Sequence, residues 1–350
     1  MNFSSILLKW FALNKRELPW RGTDNPYFIW ISEIILQQTR VEQGTPYYLR
    51  FIKAFPTVTD LANASEDKVL KLWQGLGYYS RARNLHFSAK YIQEHYHGIF
   101  PNTYKDILKL KGVGVYTAAA VSSFSFGLPY AVVDGNVIRV LSRVFGIETP
   151  FTTALGRRKY QLLAQDLLDR NKPADNNQAI MEFGALQCVP KSPECSHCPF
   201  IADCVAYSTN SVEKLPPKVK NNSIKKRFLS YLVLRHKDLI LLSKRNSGIW
   251  NGLYEFPFLE YSRRKSIKKI ISSDKWGVFF RNIDYEIDSV SHEFIHKLSH
   301  QNIYAKFWII DIKRHDKFQL EEQMFVRNSE FEDFPVSRLT DKFMKQYNII

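Results

Sequence analysis

All four cysteines of this 350-residue chain fall in one short stretch, spaced C-x6-C-x2-C-x5-C at Cys188, Cys195, Cys198 and Cys204. Four thiolates so close in sequence can converge on one inorganic centre and fasten a loop that has little core of its own. Cys₄ ligation suits a 4Fe–4S cluster or a structural zinc. Structural zinc sites usually pair two short C-x2–4-C hooks, and the chain has a single such hook, Cys195–Cys198. Two disulfides in a secreted protein are the competing reading. Against it stand the length of the chain and the lack of cysteine elsewhere. The start of the chain, residues 1–20, is amphipathic and charged and has no signal-peptide core. Reduced thiols and a cytosolic setting are therefore expected.

The chain is long enough for two domains, each with a sizeable core. It is 45% hydrophobic, yet no apolar run approaches the roughly 18 residues that would suggest a membrane span. The net charge is +15. Such a field favours a polyanion, most simply nucleic acid, although a merely soluble basic surface would carry the same charge. Paired Pro216-Pro217, polar Asn221-Asn222-Ser223 and basic Lys225-Lys226-Arg227 mark residues 208–226 as a linker. Apolar residues upstream recur at helical spacing, so 1–207 reads as a largely helical domain. Downstream, 228–234 and 239–242 read as strands around a turn at 236–238, and 303–312 as a further strand. Helices are expected over 263–272 and 339–347, which makes 227–350 a mixed α/β domain.

Asn25-Pro26 opens a helix expected over 27–39, Asn as cap and Pro at the first helical position. This helix is apolar nearly all round, and Glu33 is its only charged residue. Burial should raise the pKa of Glu33, which suits a general acid near neutral pH; a structural Glu with a buried partner is the equal alternative. Residues 103–126 read as a helix-hairpin-helix, with short helices over 103–110 and 115–124 around Lys111-Gly112-Val113-Gly114. Gly112 and Gly114 would allow a close approach to phosphate at the second helix's N-terminus; the plainer reading is a structural turn. Asp134 is placed to cap the helix that starts at Gly135 and to stay ionised by accepting amide hydrogen bonds. Capping alone is the usual fate of such an Asp. Paired with Glu33, it gives two carboxyls pushed toward opposite protonation states, as glycosidic-bond hydrolysis requires.

With these segments in order, the chain resembles MutY-type adenine DNA glycosylases of the endonuclease III-like helix-hairpin-helix superfamily. The resemblance is carried by Leu18-Pro19-Trp20-Arg21, by 30–39 around Ser32-Glu33, by Gly75-Leu76-Gly77-Tyr78-Tyr79 through Asn84, by Gly112-Val113-Gly114-Val115-Tyr116, by Val133-Asp134-Gly135-Asn136 and by the cysteine loop 188–204. More loosely, 248–257 and His296-Lys297-Leu298-Ser299-His300 resemble the family's C-terminal, Nudix-like domain. The acidic metal-binding helix of Nudix hydrolases is missing, so pyrophosphate hydrolysis is not expected. Two departures from the family pattern are Lys111, where the hairpin usually has Pro, and Leu298, where the family usually has Phe.

The resemblance implies a mainly α helix-hairpin-helix glycosylase domain with one 4Fe–4S cluster on Cys188, Cys195, Cys198 and Cys204, followed by an α/β Nudix-like domain. It implies a monomeric enzyme that removes adenine opposite 8-oxoguanine or guanine in double-stranded DNA and leaves an abasic site. The setting would be the cytoplasm, or the nucleus or an organelle in a eukaryote. Glu33 would be the general acid and Asp134 the stabiliser of an oxocarbenium-like sugar, supported by Tyr116 and Asn136. Trp20, Arg21 and Gln178 would border the adenine pocket, Gln38 and Tyr78 would wedge into the duplex, and Ser299 and His300 would contact 8-oxoguanine. Gly112 and Gly114 would bind DNA phosphate. An endonuclease III-type lyase would need Lys where Tyr116 stands. A DNA-binding iron–sulfur module without catalysis is the alternative from another class.

Overall fold

Residues 2–217, 224–314 and 323–349 are described here in a computed structural model. The helices in chain order are α1 (Phe3–Asn14), α2 (Pro26–Leu36), α3 (Val41–Ala54), α4 (Val58–Asn63), α5 (Glu66–Trp73), α6 (Ser80–Tyr96), α7 (Tyr104–Leu108), α8 (Val115–Phe126), α9 (Gly135–Phe145), α10 (Ala154–Asp166), α11 (Pro173–Leu186) and α12 (Val205–Ser208). The remaining elements are β1 (Lys225–His236), β2 (Leu239–Lys244), β3 (Tyr254–Glu255), β4 (Phe258–Tyr261), α13 (Ile267–Ile271), α14 (Asp274–Phe279), β5 (Tyr285–Val290), β6 (Phe294–Lys297), β7 (Gln301–Ile312), β8 (Gln323–Arg327) and α15 (Arg338–Tyr347). The chain forms two compact units: residues 1–63 with 84–220, and residues 64–83 with 221–350.

The first unit is helical because its apolar residues recur every three to four positions. In α9, Val137, Val140, Leu141 and Val144 share one buried face. They pack with Phe3, Leu7 and Phe11 of α1 and Phe183 of α11 in one core, each fully buried side chain contributing about 2 kcal/mol. In α2, Trp30, Ile31 and Ile35 have no exposed surface. Asn25 caps this helix by accepting from the Tyr27 amide at 3.0 Å. The helix ends at Leu36 rather than at 39, because Gln37 leaves the helical backbone region and Gln38 takes a positive φ of 56°.

The second unit is built on a sheet with the strand order β3-β2-β1-β7-β5; β4 and β6 pair with the N-terminal parts of β1 and β7, and β8 runs antiparallel along β2. The long central strands β1 and β7 run parallel, with Leu232 opposite Trp308. Successive β7 side chains point to opposite faces. Trp308 meets Trp276 of α14 at 4.9 Å between ring centroids, and Phe307 stacks on Phe343 of α15 at 3.9 Å. The sheet is thus sandwiched between α14 and α15. The expected strands are present, but the helix expected over 263–272 begins only at Ile267, where Ser266 caps it. Of the expected linker 208–226, residues 218–223 lie outside the described residues, and Lys225 and Lys226 already belong to β1.

Segment 64–83, which the sequence places in the helical domain, groups with the sheet. Its polar groups are tied there. Asp67 of α5 accepts from Lys244 Nζ at 2.8 Å and from the Tyr254 hydroxyl at 3.0 Å. Gln74 Oε1 accepts from the Val336 amide at 3.1 Å, and the Tyr79 hydroxyl donates to the Val336 carbonyl at 3.4 Å.

Candidate active site

In the first unit, α2 and α11 line a small cavity with Trp20, Arg21, Glu33 and Gln178 on its walls, completed by Phe124 of α8 and Met181 of α11. Glu33 is 7% exposed. Burial pushes its carboxyl from the ordinary 4.5 up to about 7; the Tyr116 hydroxyl bonded to it opposes that shift, and the nearby Asp134 charge adds to it. Tyr116 stands at the first turn of α8, and burial beside Glu33 and Asp134 lifts its own pKa far above the ordinary tyrosine range. Its hydroxyl lies 3.8 Å from Met181 Sδ.

Asp134 caps α9. Its Oδ1 accepts from the Asn136 and Val137 amides at 2.9 and 2.8 Å, and its Oδ2 accepts from Asn136 Nδ2 at 2.8 Å. Burial nevertheless raises the Asp134 pKa, and the bonds from Val137 and Asn136 restrain that rise. The two carboxyls are therefore not pushed in opposite directions, as the sequence leads one to expect. Both are raised by burial, and the helix-capping bonds restrain Asp134. Asn136 is fixed from behind by Arg139, whose Nη2 donates to Asn136 Oδ1 at 2.9 Å and to the Gly184 carbonyl at 2.6 Å. A Cβ on Gly184 would lie 2.7 Å from Asn136 Cβ, so α11 approaches α9 this closely only through glycine.

Arg21 is held by Glu182, a residue the sequence alone did not single out. The carboxylate takes bidentate bonds from Arg21 (3.0 and 2.8 Å) and from Arg16 (2.9 and 2.8 Å), and a fifth from the Arg16 amide. Burial alone would raise its pKa, but the two guanidiniums hold it at about 2. Glu33 and Glu182 are both buried; the cation pair around Glu182 is what separates them. Trp20 packs edge-on against Tyr48 at 5.3 Å.

The hairpin turns as expected. Gly112 has φ 82°, and a Cβ there would lie 2.8 Å from Asn84 Cβ. Gly114 starts α8 without a side-chain cap and with open space around it, which leaves first-turn amides available to an anion. Gln38 is exposed on the turn after α2.

The four cysteines form no disulfide and line one cavity, with Arg143 and Phe183 on its walls. Among the described residues, no three His, Cys, Asp or Glu side chains are grouped so as to hold a single metal ion. The donor set fits a larger, all-thiolate group. Arg143, 3% exposed, fastens this loop: its guanidinium donates to the carbonyls of Val189 and Pro190 at 2.7 and 3.1 Å and lies 3.5 Å from Cys188 Sγ. Arg139 Nε donates to the Cys188 carbonyl at 2.7 Å. One helix, α9, therefore carries both the Asp134 cap and the anchors of the cysteine loop.

In the second unit, Tyr78 is 46% exposed at a positive φ of 48°, and its hydroxyl donates to Ser299 Oγ at 3.5 Å. Ser299 and His300 form the exposed β6–β7 turn, where Ser299 Oγ lies 3.4 Å from His300 Nδ1. Three residues expected at the DNA thus meet at one turn.

Residues 31–163 match the model of the HhH-GPD superfamily of base excision DNA repair proteins, and 230–346 match that of the NUDIX domain. An adenine DNA glycosylase of Buchnera aphidicola subsp. Baizongia pistaciae is 37% identical over 316 residues, covering 88% of this chain and 86% of that protein. The human adenine DNA glycosylase is 42% identical over 222 residues, covering 61% of this chain and 41% of that protein. The solved structure of a thermostable thymine-DNA glycosylase superposes with a TM-score of 0.56 at 32% identity, over 59% of this chain and 95% of that one. No helix among the described residues is long and apolar enough to cross a membrane. The chain belongs to the adenine DNA glycosylase family and is an N-glycosyl hydrolase with a helix-hairpin-helix domain and a Nudix-like domain.

Proposed function

We propose that this enzyme removes adenine mispaired with 8-oxoguanine, or with guanine, from double-stranded DNA and leaves an abasic site in an unbroken strand. The observation that carries this reading is the Glu33 carboxyl, buried on a cavity wall beside Tyr116 and Asp134 and raised to about 7.

Stacked adenine cannot be reached, so it is flipped out of the duplex. It enters the cavity between Trp20, Arg21 and Gln178. Glu33, protonated near neutral pH, gives its proton to the purine's five-membered ring, and the base leaves neutral. Asp134, held by Asn136 and the first amides of α9, stabilises the positive charge that develops on the sugar, and water completes the hydrolysis. Tyr116 holds the Glu33 carboxyl in place. Tyr116 also stands where a lyase would need an amine, so no imine forms and the strand stays intact.

Amides after Gly112 and Gly114 take a strand phosphate at the N-terminus of α8. Gln38 and Tyr78 enter the duplex, and Ser299 and His300 read the opposite base. Residues 1–207 supply the chemistry and 227–350 the opposite-base reading, and the enzyme acts as a monomer wherever its chromosomal DNA is kept. Cys188, Cys195, Cys198 and Cys204 would hold a 4Fe–4S cluster, whose contribution when bound is to order the loop. The test is single-turnover excision on adenine·8-oxoguanine, adenine·guanine and adenine·thymine duplexes. Adenine release confined to the first two, with strand breakage only after alkali, is expected. Equal release from all three, or breakage without alkali, would overturn the reading.

A further inference from the structure

The second unit carries a cavity of about 300 Å³ that none of the chemistry above uses. Its floor is the paired residues Phe228–Tyr304 and Ser230–Lys306 of the parallel strands β1 and β7, and its rim is the turn before α13. Arg263, Arg264, Lys265 and Lys306 all line it, and Glu293 is the only carboxylate among the described lining residues. That size lies at the lower end of small-ligand sites, roughly 300–1,000 Å³.

Two of the cations are held in position before any ligand arrives. Arg264 donates to Glu293 through Nε at 3.0 Å and Nη2 at 2.6 Å. Its guanidinium also lies 5.4 Å from the centroid of Tyr304, whose ring stacks on Phe228 at 5.1 Å. Lys265 Nζ lies 4.5 Å above the Tyr261 ring. Such cation–π contacts fix a charge without neutralising it. A positioned cation loses less freedom when a ligand binds. Glu293 is already engaged by Arg264, so the described lining residues offer no free pair of carboxylates for a divalent metal.

We propose that this cavity binds the phosphate groups of a nucleotide, free or as part of a DNA strand, and does so without metal and without hydrolysis. Arg263, Lys265 and Lys306 supply the charge; Arg264, whose Nε and Nη2 are taken by Glu293, orders the rim and leaves its Nη1 side to a ligand. The proposal is independent of the N-glycosidic centre, so its failure would leave the adenine-removal reading intact.

The test compares the full-length protein with the Lys265→Ala/Lys306→Ala double variant and with a Lys306→Arg control. Circular dichroism melting first confirms that each is folded. One arm titrates pyrophosphate and dGDP, without and with Mg²⁺, by calorimetry. Binding that needs no Mg²⁺ and weakens at least about tenfold in the double variant assigns the cavity to a free nucleotide. The other arm measures affinity for an undamaged duplex against salt. A salt slope shallower by about 2 in the double variant, retained in Lys306→Arg, assigns the cavity to strand phosphates. Folded double variants that bind both pyrophosphate and duplex like the parent would overturn the proposal, as would Mg²⁺-dependent release of phosphate from dGDP.

Discussion

Asn136 grips Asp134 twice, through its amide at 2.9 Å to Oδ1 and through its side-chain nitrogen at 2.8 Å to Oδ2. Both bonds favour the ionised carboxylate against the burial that raises its pKa. Asn136→Ala removes the second of them, along with one of Arg139's several bonds. The acid limb of the pH–rate profile for excision is expected to move to higher pH, because Asp134 then takes up its proton more readily. Asp134→Asn should lose about 10²-fold or more at every pH. An unmoved acid limb in Asn136→Ala would separate the residue from the charge on Asp134.

Glu33 sets the opposite limb. The protonated form is the acid, so excision by the wild type should decline as pH rises through about 7. Glu33→Gln should lose at least about 10²-fold and no longer show that decline, while still binding mismatched DNA. Stability follows the same raised pKa. The folded state holds the proton more tightly than the unfolded one, so the stability from Glu33 is full below about 4.5 and is lost as pH climbs through about 7. The gap corresponds to about 3 kcal/mol. Melting temperatures of wild type and Glu33→Gln measured from pH 4 to 9 should diverge across that window, the variant gaining relative stability at the alkaline end.

Glu182 behaves in the reverse sense. Its folded pKa of about 2 lies below the ordinary 4.5, so its stabilisation is present above 4.5 and is lost as pH falls toward 2. Glu182→Gln leaves two guanidiniums without their carboxylate and is expected to destabilise by about 3 kcal/mol. Urea titration measures this. Arg21 also loses its fixed place on the cavity wall, so excision by the folded variant should weaken chiefly through KM.

The cysteine loop gives a spectroscopic prediction. The anaerobically purified protein should be yellow-brown, and Cys198→Ser should lose that colour. Arg143→Ala keeps all four ligands but removes the bonds to Val189 and Pro190. Its iron content should fall on mild heating before that of the wild type does. A colourless wild type with one zinc per chain would contradict the cluster assignment.

Tyr78 and Ser299 share a hydrogen bond at an exposed turn. Ser299→Ala with His300→Ala should lessen the preference for 8-oxoguanine over guanine opposite adenine, while adenine release from the guanine pair changes little. The ratio of the two single-turnover rates is the measurement, and an unchanged ratio would remove both residues from opposite-base reading.

What the sequence made legible was local. The Asn25 and Asp134 caps, the hairpin glycines and the clustered cysteines depend on neighbours within a few residues, and each sits in the structure where its spacing places it. Glu33 was singled out because a lone charge on an apolar helix is anomalous. Glu182 was not, because its partners Arg16 and Arg21 are more than 160 positions away and a charged residue on a helix is ordinary. Arg143 escaped notice for the same reason: on α9 it resembles any surface arginine, and only the loop returning over it explains its burial. The direction of the Asp134 shift is not legible, because hydrogen bonds to a cap can be foreseen from sequence whereas the depth of its burial cannot.

The stretch from Ala64 to Arg83 belongs to the sheet-containing unit although it lies within the helical half of the sequence. Backbone therefore passes from one unit to the other at 63–64, at 83–84 and at 220–221. Cleaving the polypeptide after residue 220 would not yield two self-sufficient pieces. The N-terminal fragment would keep α5 with Asp67, and the C-terminal fragment would keep Lys244 and Tyr254, the groups that Asp67 binds. Such halves behave as a split protein, each holding the other's missing part. Exchanging the C-terminal region between relatives would transplant a fold short of one helix unless the matching 64–83 segment travels with it.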